Sequence, residues 1–156
     1  MNLKLTREDK EVFQRACQEI VGKERERLGI GTLSEKTMHA VLKKYLVPDE
    51  TCHEIKCGRY VADILVEGEI MEIQTAGFNR LRGKLEEFLK EKEVTVVYPI
   101  PHIKWLIWID EQTGEFTKKR RSTKVGSYYD AFFELYKIKM FLNHPNLHFR
   151  LILVDV

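Results

Sequence analysis

Two carboxylates on either side of a glycine turn are the residues of this chain best placed to do chemistry together. Asp63 precedes and Glu72 follows Glu67-Gly68, within alternating runs that read as a β-hairpin. A two-residue loop at Glu67-Gly68 pairs Val66 with Glu69 and sets Asp63 opposite Glu72 and Val61 opposite Gln74. Opposed residues share a face, as do alternate residues of one strand, so Asp63, Glu72 and Gln74 gather on one side of the sheet. Ala62, Ile64, Val66, Met71 and Ile73 fall to a core face on the other. A two-residue loop at Cys57-Gly58 brings Glu54 opposite Val61 and onto the polar side. Glu35 precedes Met38 and Leu42 on a helical stripe and continues it toward whatever that stripe covers. Carboxylates gathered in one cleft repel and raise each other's pKa, and a divalent cation removes that cost. Mg²⁺ favours a few carboxylate oxygens, a backbone carbonyl and waters, and the carbonyl of Ile73, between Glu72 and Gln74, is a candidate.

The elements that must position these residues follow from periodicity and punctuation. Thr6 to about Leu28 carries Val12, Phe13, Ala16, Cys17, Ile20 and Val21 at helical spacing. Gly29-Ile30-Gly31-Thr32 breaks that pattern, and Ser34 is an N-cap for a second helix bearing Met38, Val41, Leu42 and Tyr45 and stopping near Pro48. Short strands follow over Cys52 to Cys57, Arg59 to Glu67 and Glu69 to Gln74. A helix from Phe78 to about Lys90 has the stripe Leu81, Leu85, Phe88 and Leu89. Val94 to Ile100 is a continuous apolar run, as for a strand buried on both faces. Lys104 to Ile109 is a further strand, Glu111-Gln112-Thr113-Gly114 a turn, and a basic stretch follows as loop. Ser127 to Leu142 reads as a helix and Leu147 to Val156 as a last strand. Meandering strands, a crossover helix and more strands imply an α/β (α+β) fold: a mixed sheet flanked by helices. The expected division is 1–32, an N-terminal helix and linker, and 33–156, the main unit. Ending on apolar Leu151 to Val156 leads us to expect a further segment downstream.

Asp63, then Glu72-Ile73-Gln74 across a hairpin, after a helix bearing Glu35 and before a crossover helix, resembles the PD-(D/E)XK nuclease superfamily. The likeness covers roughly Leu33 to Ile109 and implies a restriction-endonuclease-like sheet. It implies that Asp63 and Glu72 ligate one or two divalent metals, Mg²⁺ or Mn²⁺, with Glu54 and Glu35 as auxiliary acids. It further implies a phosphodiester hydrolase acting on nucleic acid, DNA first, and leaving a 5′-phosphate and a 3′-hydroxyl. Two positions depart from the pattern: Val61-Ala62 stands where a Pro is usual, and Gln74 where a Lys is usual. An amide orients water but supplies no charge. In the superfamily the Lys can migrate to the next helix, which makes Lys84, or Arg80, the replacement candidate.

Composition bounds these readings. The 156 residues are 44% apolar and 32% charged, enough for one folded domain and too apolar for disorder. A net charge of +2 excludes a polycationic sheath but not a local basic patch. Such patches are Arg80 and Arg82, beside the acids, and Lys118, Lys119, Arg120, Arg121 and Lys124, both candidates for phosphate contact. Three Cys without a CxxC pair oppose a disulfide scaffold, and the five His show no zinc spacing. There is no signal-peptide run and no membrane-length apolar stretch, so a cytoplasmic domain is expected. Each candidate has a structural alternative. Asp63 and Glu72 can pair with Arg59, Arg80 or Arg82; Glu35 suits a helix first turn; Lys84 can snorkel beside Leu81. The Tyr128 to Tyr136 aromatics suit a core or a homodimer interface. Besides a nuclease, the sequence therefore admits a non-catalytic nucleic-acid-binding module on the same fold, or a dimerisation domain.

Overall fold

The structure, a computed structural model, describes residues 5–28, 35–110 and 112–156. The proposed linker, the Ser34 cap and Glu111 of the turn lie outside the described residues. Helices α1 (Arg7–Leu28) and α2 (Glu35–Leu46) precede strands β1 (His53–Cys57), β2 (Tyr60–Val66) and β3 (Glu69–Ile73). A 3₁₀ turn at Phe78–Leu81 runs into α3 (Arg82–Phe88), then come β4 (Val94–Pro101), β5 (Ile103–Leu106) and β6 (Arg120–Val125). α4 (Ala131–Leu135), flanked by 3₁₀ turns, and β7 (Leu147–Val154) complete the order. The fold is mixed α+β. Its five-stranded sheet runs β1-β2-β3-β4-β7, antiparallel through β3 and parallel from β3 to β7; β5 and β6 form a separate two-stranded ribbon.

The hairpin register around Glu67-Gly68 is the expected one: Val66, Leu65 and Ile64 face Glu69, Ile70 and Met71. Both turn residues have positive φ (51° and 85°), as a type I′ turn requires. The preceding hairpin differs. Its loop is Gly58-Arg59, so Cys57 faces Tyr60 and Ile55 faces Ala62, two positions from the expected pairing. The turn puts Gly58, at φ 60°, in the first central position, where only positive φ closes the loop, whereas a Cys57-Gly58 loop asks that of cysteine.

Apolar side chains cover both faces of the sheet. On one, Leu42 of α2 and Phe13 of α1 pack with Ile64, Ile73 and Val97. On the other, Phe78, Leu81, Leu85 and Phe88 pack with Ile70, Val94, Val96 and Tyr98. Tyr60 and Ala62 join the second cluster but Ile64 and Val66 the first, so the alternation of β2 changes phase around Asp63. The expected single core face with Ala62 beside Ile64 is thereby corrected: the acidic side is a second core face.

Other elements differ from expectation. The basic stretch is not a loop, because Arg120–Val125 forms β6 against β5. The helix expected from Ser127 is broken at Ile138 (φ −121°, ψ 25°), which is buried in the core. The aromatics from Tyr128 to Tyr136 are not core: Ala131 and Ile138 face inward, while Tyr128, Tyr129, Phe132, Phe133 and Tyr136 are exposed. Among the described residues no helix is long and apolar enough to cross a membrane.

Candidate active site

Between β2 and β3, just past the Ile64–Met71 pair, two carboxylates take over from the ladder. The Asp63 N–H donates to Glu72 Oε1 at 3.1 Å, and the Ile73 N–H donates to Asp63 Oδ2 at 2.8 Å. Each acid thus satisfies a backbone amide of the other's neighbourhood, and the two charges are held in one place. Glu72 is 1% exposed, beneath α3. Lys84 of α3 reaches it, with Nζ donating to Oε2 at 2.7 Å. From the opposite face, His39 of α2 places Nε2 3.0 Å from Asp63 Oδ2.

These contacts set the two acids apart electrically. Burial pushes Asp63 up, but the hydrogen bond and charge of His39, the Ile73 amide and Lys84 outweigh it and hold the carboxyl below its usual range. Burial first, and then the charge of Asp63, push Glu72 up to about 7 against the pull of Lys84 and the Asp63 amide. One acid is firmly ionised and its neighbour titrates near neutrality. Such separation is characteristic of functional clusters, although ion-pair networks produce it too.

The crossover helix is anchored so that Lys84 arrives where it does. Glu134 of α4 accepts the Phe78 N–H at 2.8 Å, and Arg82 Nε and Nη2 donate to Lys137 O at 2.8 and 2.7 Å. Gly83 admits the Tyr60 ring, since a Cβ there would lie 2.5 Å from the Tyr60 hydroxyl.

The remaining sequence candidates lie around this cluster. Gln74 keeps its backbone in the sheet through Val97 O, but its carboxamide donates to Ala76 O, so it engages neither acid. Glu35 comes to the same end of β3, where its carboxylate accepts from the Thr75 hydroxyl. Glu54 is exposed and paired with Lys43 rather than with the buried acids; its φ of 54° takes it out of the β1–β2 ladder, in which His53 and Ile55 on either side of it are paired. Ile73 takes part through its amide. Arg82 donates to Lys137 O, and Arg80 and Arg82 are both exposed. Lys118, Lys119, Arg120, Arg121 and Lys124 lie on or beside β6, in the two-stranded ribbon rather than in the sheet that carries the acids. Among the described residues neither acid is paired with arginine, and Arg59 meets Glu87 instead.

His39 is the member that sequence reasoning missed. Its one signal is position, one turn beyond Glu35 and next to Met38 on the inward side of α2. Asp63 and Glu72 are the oxygen donors here suited to a hard cation; no group of three or more His, Cys, Asp or Glu with metal-holding geometry occurs among the described residues.

A family model described as a domain of unknown function, DUF8091, matches residues 36–156. The chain belongs to this family. The match starts within α2 and includes His39, Asp63, Glu72 and Lys84. An uncharacterized protein of Treponema pallidum (strain Nichols) is 29% identical over 126 residues, 80% of this chain. The chain spans about half the length of that curated relative, 50% of it. No solved structure matches the DUF8091 chain.

Proposed function

We propose that this domain is a metal-dependent nuclease of PD-(D/E)XK type, hydrolysing phosphodiester bonds in nucleic acid, with DNA as the first substrate to test. The observation that carries the reading is the buried Asp63–Glu72 pair at the parting of β2 and β3, with Lys84 from the next helix on Glu72. A pair of carboxylates, one of them held near 7 by burial and by the other's charge, fits a hard divalent cation, which relieves the repulsion. Mg²⁺ or Mn²⁺ would be held by Asp63 and Glu72, and when bound would polarise the phosphate and acidify a water. Asp63, ionised throughout the neutral range, supplies permanent negative charge. Glu72 supplies its oxygens only when deprotonated. Lys84 provides the cationic group that Gln74 lacks and, turning from Glu72, neutralises phosphate charge. His39 fixes the orientation of Asp63. Gln74, bonded to Ala76 O, shapes the turn after β3 and is a positioning residue.

The test incubates the chain with circular duplex DNA, single-stranded DNA and structured RNA in Mg²⁺, Mn²⁺ or EDTA, beside Asp63→Ala and Glu72→Ala. Cleavage that needs metal and is lost in both variants supports the reading, and the substrate cut names the class. Cleavage persisting in Asp63→Ala overturns it. A second reading, a non-catalytic nucleic-acid-binding module, is favoured by the closure of Lys84 on Glu72 at 2.7 Å, which commits to an ion pair the lysine that catalysis would need. It predicts neither cleavage nor calorimetric metal binding, and nucleic-acid affinity indifferent to metal.

A further inference from the structure

The β5–β6 ribbon stands apart from the main sheet and is built unlike the rest of the molecule. Between 103 and 125 the chain has six cations, Lys104, Lys118, Lys119, Arg120, Arg121 and Lys124, against three acids that all fall between 110 and 115. Both tryptophans of the protein, Trp105 and Trp108, are in this segment. They are 43% and 68% exposed, and Phe116 is 55% exposed. Arg121 faces Trp105 across the ribbon, and Lys119 Nζ sits 4.8 Å from the Trp105 ring centroid. Trp108 and Thr117 exchange hydrogen bonds through their backbones and the Thr117 hydroxyl, which stiffens the ribbon beneath the exposed indole.

The ribbon has a fixed seat. Trp105 N donates to Val156 O at 2.7 Å and Val156 N to Ile103 O at 2.8 Å, so the ribbon is stitched to the residues that follow β7. It leaves the carboxyl end of β4, and the parallel strands β3, β4 and β7 all point that way. The carboxyl end of β3 carries Glu72. A cavity of about 290 Å³ opens between the ribbon's base and α4, lined by Tyr98, Ile100, Lys104, Lys124, Phe133 and Glu134. Glu134 also holds the Phe78 amide, in the segment that leaves β3.

We propose that this ribbon binds single-stranded nucleic acid, unpaired bases stacking on Trp105, Trp108 and Phe116 while the β6 cations meet phosphates. Exposed aromatic faces set among cations suit a strand whose bases are unstacked and whose backbone is anionic. A duplex keeps its base faces stacked inside and would leave the indoles uncovered. A protein interface core is depleted in lysine, whereas here Lys119 lies on the Trp105 ring itself. The inference deepens the nuclease reading, which it rests on for biological sense, by naming the substrate as a strand with unpaired bases.

The test is binding by the full chain in EDTA, where metal-dependent cleavage is silent, so that its failure and the failure of the nuclease reading are distinguishable. Labelled oligo-dT, oligo-U and a duplex of equal length are titrated by anisotropy, and tryptophan emission is followed, since both emitters are in the ribbon. Tighter binding of a single strand than of duplex, with quenched emission and a steep salt dependence, is expected. Trp108→Ala weakens single-strand binding by roughly 5- to 150-fold and duplex binding less than twofold, and Trp108→Phe restores most of the loss. Preference between oligo-dT and oligo-U then separates DNA from RNA as the source of the strand. Equal loss on duplex, unquenched emission, or no effect of Trp108→Ala overturns the proposal. So does self-association abolished by Trp108→Ala without oligonucleotide binding, which assigns the ribbon to a second copy.

Discussion

Glu72→Gln should stabilise this protein above neutral pH, because the wild-type residue is a buried acid forced to ionise beside another. The carboxyl moves from an ordinary 4.5 in the unfolded chain to about 7 in the fold. At about 1.4 kcal/mol for each tenfold change in proton affinity, the difference amounts to about 3 kcal/mol. The sign follows from proton binding. Between 4.5 and 7 the folded state holds a proton that the unfolded state has released, so stability falls as pH rises through that window. Below it both states are protonated and the penalty vanishes; above it the penalty is complete. The substituted carboxamide keeps the shape and can accept the Asp63 N–H, while Lys84, partly exposed, can turn to solvent. Urea unfolding at pH 5, already inside the window, and at pH 8 should therefore show the variant's advantage over wild type growing by about 2–3 kcal/mol between them, a large share of a typical domain's stability. In thermal melts at pH 8 this corresponds to roughly 6–12 °C. Under the nuclease reading, millimolar Mg²⁺ should recover part of this stability in the wild type and none in the variant. A difference between Glu72→Gln and wild type that is the same at pH 5 and pH 8 would refute the reasoning, because it would mean that Glu72 is not charged at a cost.

The other expectations concern the groups around this acid and the seat of the ribbon. Lys84→Met should lower metal-dependent cleavage by roughly 10²-fold and raise the Glu72 pKa further, which ¹³C NMR titration of the carboxyl resonances would read. His39→Ala removes a donor that holds Asp63 low, so the Asp63 resonance should titrate at higher pH. Asp63 lends stability above its unfolded value near 3.8 and loses it as pH falls through the lower folded value, so the acid-unfolding limb of His39→Ala should begin at higher pH. Gly126→Ala would place a Cβ 2.0 Å from Pro101 O, a clash with backbone that only displacement of the ribbon relieves. Urea denaturation should show a loss of about 1–3 kcal/mol or more, and protease should nick the ribbon sooner.

The parts of the fold legible in the sequence are those where one local rule decides. Val94 to Ile100 has no charged residue, and the strand it becomes, Val94–Pro101, is buried on both faces. Glu67-Gly68 admits one tight turn, and the β2–β3 register follows from it. Where two rules compete, the reading fails. Cys57-Gly58 and Gly58-Arg59 are both two-residue loops, and only the demand for positive φ at the first position chooses between them. The basic run reads as a solvated loop by charge, yet it pairs as β6, with Arg121 and Arg120 opposite Trp105 and Leu106. The aromatics after Ser127 have helical spacing, but that spacing does not say which side is buried. Small Ala131 and Ile138 take the core and leave the large rings outside.

The candidate site divides along the same line, and the division has a physical reason. Asp63 and Glu72 are neighbours across one hairpin, so arithmetic along a single local pairing brings them together. Lys84 and His39 arrive on helices from opposite faces of the sheet, and no local rule sets how far those helices slide along it. For Lys84 the decisive contacts are Glu134 on Phe78 and Arg82 on Lys137 O, each joining groups more than 50 residues apart in sequence. Beside Leu81, Lys84 would by default lie along the edge of the apolar stripe with its amine in water. It turns inward because Glu72, 1% exposed, offers a carboxylate that water does not reach, and an ionised buried acid recruits the nearest cation. His39 answers Asp63 from the other face for the same reason. The phase change of β2 at Asp63 lets the two linked acids be reached from opposite sides of the sheet, Asp63 by His39 and Glu72 by Lys84, and that local irregularity, rather than any motif, is what turns two strand carboxylates into a four-residue cluster.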